Sequence, residues 1–170
     1  MVQPDGKIIV VGFADHGTQQ VFAVARYLPN GTLDSTFSND GRQTTAFGAG
    51  DHRAYAVALQ PDGKIVVAGD AIVNNEIDFA VARYKPDGAL DNTFSVDGKM
   101  TTNVGSFFDR AYAVAIQPDG KILLGGTLTQ SASSDFALVR YQPNGTLDGS
   151  FGTSSDIATK TSLRAIMCWC

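Results

Sequence analysis

One long motif occurs twice in this chain, and its second half also stands near the start. The two full copies are residues 53–69, RAYAVALQPDGKIVVAG, and residues 110–126, RAYAVAIQPDGKILLGG. The shared QPDGK segments recur every 57 residues, at Gln3, Gln60 and Gln117. A tandem repeat of this length predicts a propeller, a solenoid or a similar array, because each unit must bury its apolar surface against its neighbours.

The middle unit begins with two predicted strands that are joined by a tight turn. Residues 53–59 alternate between larger side chains and alanines, which is the period-two pattern of a strand. Pro61, Asp62 and Gly63 follow in the order that a type I hairpin turn requires. Residues 64–68 form a short apolar run, so we expect a strand that is covered on both faces.

Two further strands complete the unit. The polar segment 70–78 predicts a loop, residues 79–84 a third strand and residues 99–104 a fourth. Between the last two lies a compact connector, 89–98, whose Leu and Phe side chains we expect under the sheet edge. The sequence therefore predicts an all-β fold, in which tandem four-stranded antiparallel meanders stack as β-propeller blades.

Three motifs recur with this period: RAYAVA-x-QPDGKI, F-A-x-x-RY and L-D-x-x-F. On these motifs the chain resembles the bacterial delta-60 repeat family over nearly its whole length. The resemblance implies a β-propeller-like repeat, usually found in large exported or surface-associated proteins of unassigned function, and hence an extracellular or cell-surface location. It offers no catalytic residues to carry over. No signal peptide precedes the first repeat, so we expect any export signal to lie outside this chain.

We divide the chain into unit 1 (residues 1–52), unit 2 (53–109) and unit 3 (110–163). Unit 1 lacks a first strand, and residues 164–170, RAIMCWC, align with the first strand of the other units. They are therefore candidates to supply it. Propellers typically have about four to eight blades. Three outcomes stay open: two chains build a six-bladed ring, which we favour, the chain belongs to a longer array, or three units close an unusual ring.

Composition excludes several classes of function. The formal net charge is −4 and the 13 lysines and arginines are dispersed, which argues against a nucleic-acid partner. No apolar run approaches the roughly 18 residues of a membrane-spanning helix. The two cysteines, Cys168 and Cys170, have neither the number of a disulfide framework nor the spacing of a metal site. We expect no cofactor and no metal.

The connections of a meander fall on two edges of each sheet. The uniform edge carries the QPDG turns, the PDG or PNG turns and the L-D-x-x-F connectors, which are nearly identical in every unit. The varied edge carries segments 14–20, 47–52, 70–78, 104–109 and 127–135, which differ between units. Because binding residues concentrate on loops held by a rigid scaffold, we predict that the varied edge is the interaction face. Its candidate residues are His16, Asp51, His52, Asn74, Asn75, Glu76, Phe107 and Phe108.

Residues that recur in every unit favour a structural role. The arginine of F-A-x-x-RY and the aspartate of L-D-x-x-F occur three times each, so we expect repeated ion pairs rather than one chemical site. Arg53 and Arg110, on the first strands, are candidates to line a central opening. Nothing in the sequence places His16 and His52 together, which argues against a shared metal site.

Three functional hypotheses follow. The leading one is a non-catalytic scaffold that binds a protein or glycan partner through the varied edge. The second is a propeller-fold hydrolase or lyase, which would require carboxylates that converge at the axis. The third is a purely structural spacer within a larger surface protein.

Overall fold

The computed structural model describes residues 1–105, 107–130, 133–152 and 157–160. Within these ranges the chain forms eleven strands and no helix, so the all-β prediction is confirmed. No helix that could cross a membrane occurs among these residues. The strands are β1 (Ile8–His16), β2 (Gln19–Tyr27), β3 (Arg42–Thr45), β4 (His52–Leu59), β5 (Ile65–Val73), β6 (Glu76–Tyr84), β7 (Lys99–Thr102), β8 (Phe108–Ile116), β9 (Ile122–Gln130), β10 (Ser133–Tyr141) and β11 (Ile157–Lys160).

The strands pair as consecutive antiparallel meanders. β4 to β7 form one, β8 to β11 a second, and β1 to β3 a three-stranded version. A single parallel pairing, Ile77 with Phe108, connects β6 to β8. The predicted propeller-type repeat is confirmed, and the described sheets do not close into a ring. The prediction that residues 164–170 supply a strand to unit 1 lies outside the described residues.

The turns of the uniform edge form as the sequence predicts. The Gly63 amide donates to the Gln60 carbonyl (2.9 Å), and the Gln60 amide donates to the Lys64 carbonyl (2.8 Å). Gly63 has a φ of 82°, a left-handed conformation that costs glycine little. The same bonds recur in the other two QPDG turns.

The structure corrects the prediction of a loop over residues 70–78. β5 continues to Val73 and β6 starts at Glu76, so only Asn74 and Asn75 form the turn. Their φ angles of 51° and 67° match a two-residue type I′ turn, which fits the twist of the flanking strands. In the first hairpin the strands also extend into the predicted loop, because β1 ends at His16 and β2 begins at Gln19, which leaves a two-residue turn.

Apolar residues on both faces of the middle sheet pack against the neighbouring units. In β5, Ile65 and Val67 pack into the cluster shared with unit 1, whereas Val66 and Ala68 pack into the cluster shared with unit 3. All four side chains are fully buried. The prediction of a strand covered on both faces is therefore confirmed.

A repeated set of polar contacts, which we call the inter-unit clamp, reinforces these clusters. Arg83 donates from Nε to Asp91 (2.9 Å) and from Nη1 to the carbonyl of Pro143 in the next unit (2.6 Å). Its guanidinium lies 4.8 Å from the centre of the Phe94 ring. The Arg26 clamp repeats this arrangement with Asp34 (2.8 Å) and Pro86 (2.5 Å). The expected structural ion pairs are confirmed.

Candidate functional site

The structure leaves several of the predicted residues of the varied edge accessible. Phe107 and Phe108 are 64% and 49% exposed. His16 ends β1 as an exposed residue, and the turn residues Asn74 and Asn75 are exposed as well. These five side chains are available to a partner.

Asp51 and Glu76 take part in contacts that hold the edge together. Asp51 accepts hydrogen bonds from the Gln20 amide (2.9 Å) and from Arg53 Nη2 (3.3 Å). Glu76 accepts one from the Asn103 side-chain amide (2.8 Å). Both residues are half-buried, so their first role is to join each connector to the neighbouring hairpin.

His52 does not belong to the accessible surface, which corrects its place among the candidates. Its side chain is fully buried, with Nε2 3.2 Å from the Gly48 carbonyl oxygen and the ring 5.7 Å from that of Phe47. In the next unit the equivalent position is Asp109, which is also fully buried. The position packs inside the connector whichever residue occupies it.

Arg53 and Arg110 lie on the first strands, β4 and β8, which contact each other. We call the side of the stack on which these strands lie the inner side. Arg53 Nε donates to the Gln20 side chain (2.6 Å), and Arg110 Nε donates to Asp70 (3.0 Å). The two side chains remain 36% and 32% exposed. Each arginine is thus held through its Nε while its side chain stays partly exposed, and a guanidinium is the group best suited to bind a carboxylate.

Two tyrosines accompany these arginines. The Tyr55 and Tyr112 ring centres lie 5.2 Å apart, and the Tyr55 hydroxyl donates to Asp70 (2.9 Å). Burial, and then the nearby Asp70 carboxylate, raises the pKa of Tyr55 to about 12. Burial also raises the pKa of Asp70, against the opposing effects of Tyr55 and Arg110. At neutral pH Tyr55 therefore keeps its proton and the hydrogen bond that it donates.

A pair of buried carboxylates was missed by sequence reasoning. Asp78 is 6% exposed with no hydrogen-bond partner for Oδ1 in the described part of the chain, and Asp109 accepts from the Val104 amide (2.9 Å). Burial, followed by the charges of Asp109 and Glu76, raises the pKa of Asp78 to about 6. The signal in the sequence is that Asp78 occupies the repeat position at which unit 1 has the apolar Val21. Across the described ranges no group of three or more His, Cys, Asp or Glu side chains is arranged to hold a metal.

Phe13 was also missed. It is 52% exposed on β1, and the Arg53 guanidinium lies 5.8 Å from the centre of its ring. The equivalent residues in the other units are Asp70 and Thr127, so the repeat alignment marks this position as variable. Phe13 adds an aromatic residue to the inner side of the stack, beside Arg53.

Shallow clefts occur on the uniform edge. One lies between the turns of units 1 and 2, and another between those of units 2 and 3. Gln60 and Pro61 line both, because each cleft is the gap between successive copies of the same turn. They follow from the stacking of the units and do not single out one site.

Comparison with known families agrees with this architecture. A family model described as a domain of unknown function (DUF5122) beta-propeller matches three times, over residues 3–37, 60–94 and 117–151. A search of curated proteins found no match. Each family match runs from a QPDGK turn to the phenylalanine of the L-D-x-x-F connector, and the connectors that lead into β4 and β8 fall between matches. The chain belongs to this family of β-propeller repeats.

Proposed function

We propose that this protein is a non-catalytic scaffold that binds a protein partner through its varied edge. The observation that carries the proposal is the exposure of the neighbouring Phe107 and Phe108, at 64% and 49%. Burial of a large aromatic side chain is worth roughly 1.5–3 kcal/mol. Two exposed phenylalanines at adjacent positions of the chain suit a partner that covers them.

The backbone that presents these phenylalanines is anchored. The Phe107 carbonyl accepts a hydrogen bond from the Ile77 amide of unit 2 (3.0 Å), and β8 begins at Phe108. A partner would therefore meet aromatic side chains on a fixed backbone and would pay little ordering entropy at that point.

A protein partner is favoured over a glycan by the kinds of residue exposed. Phenylalanine, tyrosine and arginine are enriched in the core of protein interfaces. The varied edge and the adjoining inner strands expose residues of these three kinds, in Phe13, Tyr55 and Arg53. A glycan partner that relies on the arginines and tyrosines is the alternative outcome of the test.

The enzyme alternative receives less support. The carboxylates that interact electrostatically, Asp78 and Asp109, are 6% and 0% exposed, so a substrate in solution would not reach them. Asp70, the carboxylate on the inner side, is occupied by Tyr55 and Arg110. A scaffold function requires neither group to react.

The test is a comparison on protein and glycan arrays. The double variant Phe107→Ser/Phe108→Ser should lose at least about 30-fold in affinity for the protein that binds the unaltered chain, because interface aromatics contribute about 2 kcal/mol or more. Val96→Ser is the matched control, since Val96 is 90% exposed on the uniform edge. Binding that survives the double variant, or binding to glycans alone, would contradict the proposal.

A further inference from the structure

Unit 3 leaves uncovered a sheet face that is buried in the other units. Phe136 and Leu138 on β10 are 41% and 37% exposed. One repeat earlier, the equivalent residues Phe79 and Val81 are fully buried in the cluster shared by units 2 and 3. This face of unit 3 is apolar in the same way as the buried interface, although the described chain offers it no neighbour.

Unit 1 leaves the opposite face uncovered. Val10 is 50% exposed, whereas the equivalent Val67 and Leu124 are fully buried against the preceding unit. Small residues such as Gly12 and Ala23 surround Val10 and form a shallow apolar depression. The two uncovered faces are therefore the two unlike halves of one interface that the chain already builds twice.

The polar clamp is divided between the same two faces. Arg140 keeps its bond to Asp148 (2.7 Å) and lies 4.4 Å from the centre of the Phe151 ring. Among the described residues no carbonyl completes its clamp in the way that Pro86 and Pro143 do for Arg26 and Arg83. The Arg140 side chain is accordingly 18% exposed, against 6% and 4% for Arg26 and Arg83.

Unit 1 provides the matching acceptor. Pro29 stands where Pro86 and Pro143 accept hydrogen bonds from the arginine of the preceding unit, and it lies in an exposed turn. Beside it, a Cβ added at Gly31 would meet nothing within 4 Å, although at Gly88 it would lie 3.0 Å from a ring atom of Phe37. The space that a preceding unit occupies elsewhere in the stack is open here.

We propose that unit 3 of one copy binds unit 1 of a second copy, head to tail, through the interface that joins units within the chain. A second copy is the occupant that the faces favour, because each face matches the other and neither carries both halves of the clamp. Two such contacts would close a ring of six units, within the usual range of about four to eight blades. A head-to-tail contact of this kind forms a closed ring when the rotation that relates successive copies adds up to a full turn.

Single substitutions on each face test this interface in the 170-residue chain. Light scattering should give a mass of two chains for the unaltered protein. Val10→Glu and Leu138→Glu should each weaken association by at least about 100-fold, because either places an unpaired charge in the apolar contact. Val96→Glu, exposed on the uniform edge, should leave the mass unchanged. If a variant fails to fold by circular dichroism, Val10→Lys and Phe136→Lys replace it.

An equal mixture of the two variants distinguishes the head-to-tail contact from others. Val10→Glu retains an intact unit 3 and Leu138→Glu an intact unit 1, so the mixture should regain a two-chain species. A monomeric unaltered chain, a mixture that stays monomeric, or dissociation by only one variant would overturn the proposal. Larger oligomers that both variants dissociate would keep the contact and overturn the six-unit ring.

Discussion

The two edges of the stack differ in how their polar residues are used. On the uniform edge the same arginine–aspartate contact occurs three times, with Nε–Oδ2 distances of 2.8, 2.9 and 2.7 Å. On the varied edge one position carries His52 in one unit and Asp109 in the next. Repetition of a residue together with its contacts marks the part of the repeat that joins the units, and variation marks the part that is free to specialise.

The pKa values of the buried aspartates show the same contrast. Burial by itself would raise the pKa of Asp91, but hydrogen bonds from Thr93 and the charge of Arg83 bring it below its ordinary value. On the varied edge, burial and neighbouring carboxylates raise the pKa of Asp78 to about 6. The uniform edge therefore stabilises its charges, whereas the varied edge holds a carboxylate that costs stability when ionised.

The largest expected effect comes from removal of the clamp. Arg83→Met retains the apolar stem but removes the guanidinium partner of Asp91, which is 1% exposed and keeps the Thr93 hydrogen bonds and the Lys64 ammonium 3.7 Å away. We expect the free energy of unfolding in urea to fall by about 3 kcal/mol. Arg53→Met, which removes contacts to Asp51 and Gln20 of the varied edge, should lower the free energy of unfolding by about 1 kcal/mol or less, because these partners are partly exposed. Equal losses would remove the distinction between the edges.

The second expected effect depends on contact between units. Gly88 has a φ of 92°, and a Cβ there would lie 2.9 Å from the Ser38 amide nitrogen and 3.0 Å from Phe37. Gly88→Ala should lower the free energy of unfolding by about 2–3 kcal/mol, since the steric conflict with unit 1 adds to the backbone strain. Gly31→Ala is the matched control, with a φ of 84° and open space. At protein concentrations where the chain is monomeric, Gly31→Ala should lower the free energy of unfolding by only about 1 kcal/mol.

The third effect is a pH dependence that arises on the varied edge. The pKa of Asp78 rises from 3.8 to about 6 in the folded protein. The contribution of this carboxyl to the free energy of unfolding is therefore fully present below pH 3.8 and is lost as the pH increases through 6. The free energy of unfolding of Asp78→Asn should therefore equal that of the unaltered chain near pH 3.5 and be higher by about 1–2 kcal/mol at pH 7. Parallel curves of unfolding free energy against pH would contradict the assignment.

The sequence predicted the fold wherever a residue acts locally or repeats. The QPDG turns need only their own φ angles, and the threefold Arg–Asp pattern indicated its own pairing. Burial of His52 was not predictable, because its neighbours in the sequence are polar. The prediction of a loop over 70–78 was wrong because Asp70 has partners that suit a strand, Tyr55 in its own unit and Arg110 in the next. A pattern read within one unit does not reveal the second partner.

The smallest effect separates backbone geometry from recognition on the varied edge. Asn75 has a φ of 67° in the second position of the β5–β6 turn, where glycine is the preferred residue of a type I′ turn. Asn75→Gly should leave the free energy of unfolding unchanged or raise it by about 0.5 kcal/mol, whereas Asn75→Ala should lower it by about 1 kcal/mol. Neither change should alter binding through Phe107 and Phe108, because the role of Asn75 is to adopt the left-handed backbone conformation of the turn. A loss of affinity in the stable Asn75→Gly variant would instead make the exposed amide part of the recognition surface.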